Sequence, residues 1–496
     1  MSQQPPDRQD TEMQVLQRDD PPGETLSAAH AARELGVTRR TLYAYVSRGL
    51  LASIADPRNP RARRYPAAAV RRLAAFRDAR RDPALGARAA ARGALAWGEP
   101  ILESSITQIT DGRLYYRGHD ALALAEAAAT SPLPGGWFER VGELLWRGVL
   151  PGLQAPAADP AWLQPVLASL SHAGGPLHAA TPVQAARALL PLAEALDAAA
   201  GDRNPANVAR VGRDAIGLMS TLACGGPSAG EHGADGRTGD SVAARLAKAW
   251  AAGSQAGERE GVQSDERTAD SLSTARVIDA ALVLVADHEL NVSAFAARVV
   301  ASAGASPHAA IAAGFSALEG SRHGGETASV TALLSEAESL VGPQLKADAD
   351  DGLSGEERLR AYLARRLRQN GRVPGFGHRL YPDGDPRAAL LLRLLGERFG
   401  EAGRSPEFAA ASALAAQVHA MEGTRPSVDF ALATLCRVIG APPSAPLALF
   451  AVGRTAGLVA HALEEYRMER LLRPRARYVG PPPLDPPSPG KRTRNA

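Results

Sequence analysis

Ala and Leu fill most apolar positions of this chain, and β-branched residues seldom cluster. That bias narrows the fold at once. Unbranched apolar side chains lose little rotamer freedom in a helix, whereas strands are built from runs of Val, Ile, Thr and aromatic residues. A mainly α protein is expected. At 496 residues the chain exceeds what one hydrophobic core usually serves, so more than one domain is expected too.

Cys224 and Cys436 are the only cysteines, both in apolar surroundings. Two thiols cannot make a disulfide framework, and no His/Cys spacing of a metal site accompanies them. They read as buried, inert thiols of a reducing compartment. The opening "MSQQPPDRQDTEMQVLQRDD" lacks the apolar segment of a secretion signal. The charge-free stretches Pro160 to Ala186 and Val299 to Leu318 are interrupted by Pro, Gly, Ser and His, too polar for membrane spans. A cytoplasmic protein without metal or membrane association is the expectation.

Charge is unevenly spread. Residues 1–24 lack hydrophobic periodicity and read as a disordered tail. From Leu26 to Arg81, thirteen Arg face only Glu34, Asp56 and Asp78, a balance of +10 in a chain whose total is +3. Such a concentration is a footprint of nucleic-acid binding, and also what a solvated surface face would give. The pattern adds more. Ala28 to Leu35 reads as a helix, Gly36 as a turn, and Thr38 as the N-cap of a second helix, Arg39 to Arg48. Val37, Leu42, Val46 and Leu50 can share its buried side, leaving Arg39, Arg40 and Tyr43 outward near its start. "RNPRARRYPAAAVRRL" follows as a basic wing and a third helix. The segment resembles the MerR-type winged helix-turn-helix module, here residues 25–82. The resemblance implies possible DNA contacts through Arg39, Arg40, Tyr43, Arg63 and Arg64, the start of the second helix entering the major groove.

Residues 83–98 read as a linker. Between about Gly225 and Thr274, two Gly-, Ser- and acid-rich runs flank a short apolar helix, Val242 to Trp250, and read as partly disordered surface loops. The Pro-rich tail 483–496 cannot build a core. There is no internal repeat and no phosphate-binding glycine loop.

Chemistry concentrates in "GRVPGFGHRLYPDGDPR", Gly371 to Arg387. Gly375 and Gly377 let the backbone take conformations closed to other residues, and Pro374, Pro382 and Pro386 stiffen the approaches. A His on such a turn can present its imidazole to a cavity, and a planar Arg nearby suits a carboxylate. Together they could bind a keto acid. The plainer alternative is a structural loop whose His caps a neighbouring helix. The density of landmarks decides between them: Gly375, Phe376, Gly377, His378, Leu380, Tyr381, Asp385, Pro386 and Arg387 resemble the citrate synthase signature G-F-G-H followed by a hydrophobic-Tyr pair and D-P-R. Further segments resemble that family in order. They are "ESSITQITDGRLYYRGHDALALAE" with its Y-R-G turn at Tyr116, "ADHELNVS" with His288, Asn291 and Ser293, "SALEGSRHGGE" with His323, "RPSVDFALATL" with Asp429, "FAVGRTAGLVAHALEE" with Arg454, and "LLRPRARYVGP" with Arg473.

The resemblance covers residues 99–482. It implies a two-domain, mainly helical fold with a small domain at about 324–437, closing over the site. It also implies the condensation of acetyl-CoA with oxaloacetate to citrate. Asp429 would abstract the proton and a neutral His323, at a helix start, would stabilise the enolate. His378 would polarise the ketone, and His288, Arg387, Arg454 and the partner subunit's Arg473 in a homodimer would hold the carboxylates. No cofactor is implied, the CoA thioester being a substrate. The chain departs from the common H-G-G-A-N-E at Glu326, Thr327 and Ala328, and Ser427 stands where Asn often precedes Val-Asp-Phe. Two alternatives remain: a 2-methylcitrate synthase using propionyl-CoA, and a DNA-binding regulator whose synthase-like domain senses metabolites. His119, His172, His178 and His461 carry no motif and read as structural.

Overall fold

The computed structural model describes residues 25–48, 50–56, 59–67, 69–71, 73–74, 102–131, 135–152, 180–225, 240–254, 264–341, 353–400, 405–476 and 478–481. The expected tails, the linker 83–98 and most of the two acidic runs lie outside them, as do His172 and His178. The chain divides into two compact units between Glu103 and Ser104.

The N-terminal unit begins with strand β1 (Thr25–Ser27), helix α1 (Ala28–Glu34) and helix α2 (Arg39–Ser47), followed by β2 (Ile54–Asp56) and β3 (Asn59–Pro66). The three strands pair antiparallel in the order β1-β3-β2, so β2 and β3 form the wing. Thr38 caps α2 by accepting the Thr41 N–H at 3.2 Å, and Gly36 turns the chain between the helices at φ 62°. A core forms around Leu42, with Val37 and Val46 partly buried against it. Leu51, not Leu50, completes it. The helix ends at Ser47, so helical spacing no longer says which residue points inward beyond it. Helical backbone returns at residues 67, 69–71 and 73–74.

The second unit opens with a small antiparallel sheet, β4 (Thr107–Thr110), β5 (Arg113–Tyr116) and β6 (His119–Asp120). Helices follow: α3 (Ala121–Thr130), α4 (Trp137–Arg147), α5 (Pro182–Leu196), α6 (Pro205–Ala223), α7 (Val242–Ser254), α8 (Ser264–Val285), α9 (Val292–Ser302) and α10 (Pro307–Leu318). After these come α11 (Glu326–Val341), α12 (Gly355–Asn370), α13 (Pro386–Phe399), α14 (Pro406–Glu422), α15 (Val428–Val438) and α16 (Ala445–Met468). Residues 264–274, expected as loop, are helical. The loop-like polar run is the opening of α8, whose later residues Ile278 to Val285 lie in the core. Charge there marks a helix start rather than disorder.

One large core gathers α3 to α10, α13 and α16. α16 is the described helix long and apolar enough to cross a membrane, and it is instead the central packing element, 94% of its most apolar window being buried. A second cluster joins Val330, Leu333 and Leu334 of α11, Leu359 and Leu363 of α12, Leu414 and Val418 of α14, and Phe430 of α15. α15 serves both cores: Val428, Leu432 and Leu435 face the first, Phe430 and Ala433 the second. Its first turn, with Asp429, therefore lies at the seam.

Candidate active site

Five segments bring polar groups to that seam. The first leaves α8. Its last turns are held by Tyr116, whose buried hydroxyl donates to the Val283 carbonyl at 2.9 Å. The chain then passes Asp287 into His288, which is 9% exposed. His288 Nε2 shares a 3.0 Å hydrogen bond with Tyr381 Oη, and its ring meets that of His378 edge-on with centroids 5.3 Å apart. Burial, with Arg387 and Arg454 nearby, holds its pKa well below the usual histidine value. It is a neutral ring.

The second segment is the Gly371 to Arg387 loop. Gly375 and Gly377 have φ of 83° and 74°, a region that favours glycine. The loop is strung along residues 425–427 through Gly377 N–H to the Arg425 carbonyl and Ser427 N–H to the Gly375 carbonyl, both 2.8 Å. Phe376 packs on Phe430 with ring centroids 5.0 Å apart. The Leu380 N–H donates to His378 Nδ1 at 3.2 Å. That bond takes the Nδ1 lone pair, so the neutral ring carries its proton on Nε2 and is a donor there. Burial and then Arg387 lower the His378 pKa to about 4.

Arg387 is 2% exposed at the start of α13. Its Nε and Nη2 donate to the two oxygens of Asp385 at 2.9 and 2.8 Å, and Asp385 also accepts the Val428 N–H at 3.0 Å. The two-nitrogen fork expected to grip a substrate carboxylate is thus committed within the chain. What Arg387 offers a ligand is its remaining Nη1 and its charge. Arg454, 1% exposed on α16, is less committed. Its Nε donates to the Val285 carbonyl at 3.0 Å and its guanidinium lies 4.8 Å from the Phe450 ring centre. Its two Nη groups donate to nothing among the described residues, leaving a fork for a carboxylate.

His323 lies in the turn before α11. Its Nε2 is 3.0 Å from Ser293 Oγ, and that hydroxyl also lies 2.7 Å from Asn291 Oδ1, the N-cap of α9. Burial first, then Arg454, brings its pKa to about 4. Asp429, in the first turn of α15, receives no hydrogen bond from another described residue. Burial, reinforced by the neighbouring Glu326 carboxylate, pushes it up to about 7. A carboxylate this poised can exchange a proton near neutrality.

His288, His323, His378, Arg387, Arg454 and Asp429 thus share one site. Arg473 is not with them; it is exposed on the extended segment after α16 and makes no hydrogen bond among the described residues. No group of three or more metal-binding side chains occurs among the described residues.

Residues 94–475 match the family described as citrate synthase, C-terminal domain. The chain belongs to the citrate synthase family. Residues 26–82 match the MerR HTH family regulatory protein, in register with the winged unit. A citrate synthase of Haloferax volcanii is 37% identical over 212 residues, 42% of this chain and 52% of that protein. The match therefore spans about half the length of that curated relative. A 2-methylcitrate synthase of Shewanella oneidensis is 26% identical over 398 residues, 76% of this chain and 92% of its own. Among solved structures, citrate synthase from Thermoplasma acidophilum, described as a ternary complex with carboxymethyl coenzyme A and oxaloacetate, superposes with a TM-score of 0.56. It is 20% identical, over 78% of this chain and 95% of that one, a likeness of fold.

Sequence reading of this citrate synthase family member overlooked several supports. Tyr381, part of the signature in sequence, bonds His288, and the Arg387 guanidinium lies 5.4 Å from its ring centre. Asp385 organises Arg387 and α15 together. His461 is a core residue as expected, 3.4 Å from Asp287 and accepting from Arg298 at 3.5 Å. In the N-terminal unit Arg39, Arg40 and Tyr43 are exposed, and exposed Arg63 donates to Ser53 at 3.2 Å. Arg64 departs from the expectation. It donates to Thr25 Oγ1 at 2.7 Å and to the Thr25 carbonyl at 2.6 Å, with Asp56 at 3.5 Å. It fastens β1 to the wing and is not free for a phosphate.

Proposed function

We propose that this chain condenses acetyl-CoA with oxaloacetate and water to citrate and CoA. The observation that carries the reading is Asp429, a carboxyl without a hydrogen bond from any other described residue and raised to about 7, in one site with two neutral histidines and two buried arginines. Asp429 takes a proton from the thioester methyl group. A carboxylate is too weak a base to do so alone, so the developing enolate oxygen needs a donor as the proton leaves. His323 supplies it through Nδ1, since Nε2 faces Ser293. For Nδ1 to carry the proton, the Ser293 hydroxyl must turn from Asn291 and donate to Nε2.

His378 donates from Nε2 to the ketone of oxaloacetate and stabilises the alkoxide as the carbon–carbon bond forms. Arg454, Arg387 through Nη1, and His288 hold the carboxylates, whose burial requires such partners. Arg473 reaches the site of the partner subunit in a homodimer. The citryl thioester is then hydrolysed. The printed ligands of the Thermoplasma acidophilum enzyme, a coenzyme A derivative and oxaloacetate, support the same substrate pair here.

Thiol release by the purified chain, given oxaloacetate with acetyl-CoA, tests the reading. Turnover is expected, falling at least about 10³-fold in Asp429→Asn. Absence of turnover by a folded chain that binds oxaloacetate overturns it. The extensive alignment with a 2-methylcitrate synthase supports a second reading, in which propionyl-CoA is preferred. Parallel assays with the two thioesters decide between them. The exposed Arg39, Arg40 and Tyr43 on α2 support DNA binding by the N-terminal unit as an added property.

A further inference from the structure

Glu326 is the first residue of α11 and three residues beyond His323. Its Oε1 accepts the Gly375 N–H at 3.2 Å and an Arg372 Nη1–H at 3.0 Å. Gly375 is bonded from its other side as well, its carbonyl accepting the Ser427 N–H at 2.8 Å. Ser427 is the N-cap residue of α15, two positions before Asp429. One glycine therefore joins the helix that follows His323, the loop that carries His378, and the helix that carries Asp429.

The position leaves little freedom. A Cβ at residue 375 would lie 2.8 Å from Val330 Cγ2 and 3.3 Å from Phe430 Cβ, both core atoms. The backbone of Gly375 is wedged between α11 and α15, and its N–H needs an acceptor within reach. Glu326 is that acceptor. Its side chain is 23% exposed and its ion partner Arg372 67% exposed, so much of the Arg372 charge is solvated. The residual negative charge of Glu326 stands beside Asp429, where it is the strongest neighbouring charge acting against ionisation of that carboxyl.

We propose that Glu326 is a positioning residue for the condensation, anchoring the His378 loop through Gly375 while setting the charge beside Asp429. The inference rests on the synthase reading and adds a residue to it. In the free site the added charge keeps Asp429 a stronger base than burial alone would make it. When Asp429 takes the substrate proton, one of two adjacent negative charges disappears, which favours the transfer. The same carboxylate keeps His378 in register with Asp429, so the two groups keep their spacing.

Two variants separate the roles. Glu326→Gln retains a side-chain oxygen for Gly375 and removes the charge; Glu326→Ala removes both. In Glu326→Gln the acid limb of kcat/KM moves to lower pH. A displacement of about one unit raises the ratio of kcat/KM at pH 6 to that at pH 8 roughly fivefold, with the oxaloacetate KM little changed. In Glu326→Ala the KM also rises, and the Gly375 amide exchanges with deuterated solvent at least about tenfold faster than in wild type or Glu326→Gln. The proposal is overturned if Glu326→Gln leaves the acid limb in place, or if Glu326→Ala leaves Gly375 as protected as before. A wild-type chain without turnover instead sinks the synthase reading alone, and the exchange comparison still decides whether Glu326 anchors the loop.

Discussion

At the scale of single residues, the proposed mechanism relies on protonation states set by burial and neighbouring charge before any substrate arrives. His323 and His378, both near 4, are neutral across the physiological range, and Asp429 near 7 is the group that titrates within it. Only ionised Asp429 can accept a proton. kcat/KM should therefore fall about tenfold per unit below pH 7 and flatten above it, which a pH profile of thiol release checks. Ser293 should matter through the ring it faces. Ser293→Ala removes the hydroxyl that, in the proposed mechanism, turns to donate to His323 Nε2, so kcat should drop about 10- to 100-fold with a smaller change in the oxaloacetate KM. Equal losses in both parameters would show a binding role instead. Sequence alone picked out groups that the fold gathers here because a histidine directly after Gly-Phe-Gly, with D-P-R seven residues on, resembles a family signature. It did not reach their partners. That Asp385 would occupy the Arg387 fork, or that Arg64 would fasten a strand, depends on neighbours brought together by the fold.

At the scale of elements, helix ends carry much of the organisation. α4 begins at Gly136, which offers no capping side chain; Asp279 of α8 accepts the Trp137 and Phe138 N–H groups instead, at 2.8 and 2.9 Å. Glu139 of the same helix accepts the Val242 N–H at the start of α7 at 2.7 Å. Burial, followed by the charge of Asp279, raises the Glu139 carboxyl far above its ordinary value of 4.5. The folded chain thus holds a proton there that the unfolded chain releases above about pH 4.5. Stability should fall as pH rises from that point, by up to ~1.4 kcal/mol per unit until the folded group also ionises. Glu139→Gln, which keeps the acceptor for Val242, should flatten this dependence in thermal melts from pH 5 to 8. None of this was legible beforehand, because a cap supplied from another helix leaves no local signature. The capped starts that were legible, such as Thr38 before α2, use a side chain beside the helix it caps. The opening of α8 was misread for a related reason: its polar residues resemble a loop until the apolar stretch that continues them is taken into account.

At the scale of the whole molecule, the two units match separate families. The helical architecture and the order of its landmarks were visible in the sequence because both rest on many residues at once. Arg473 tests the proposed homodimer. If it completes the partner's site, Asp429→Asn and Arg473→Ala chains should each be nearly inactive alone. Random mixing should restore about a quarter of wild-type turnover, since half the dimers are mixed and each holds one intact site. No recovery after mixing would place Arg473 outside the partner's site. For the winged unit, the full chain should bind duplex DNA with an affinity that falls steeply with salt, and Arg39→Ala with Arg40→Ala should weaken it and lower the salt slope by up to about two charges. A different kind of consequence follows from Gly375, whose N–H and carbonyl are both taken by other segments. It has no spare hydrogen bond with which to absorb a lesion. In a selection for restored growth after damage at Glu326, second-site suppressors should therefore gather in residues 425–427, far away in sequence and tied to the same glycine.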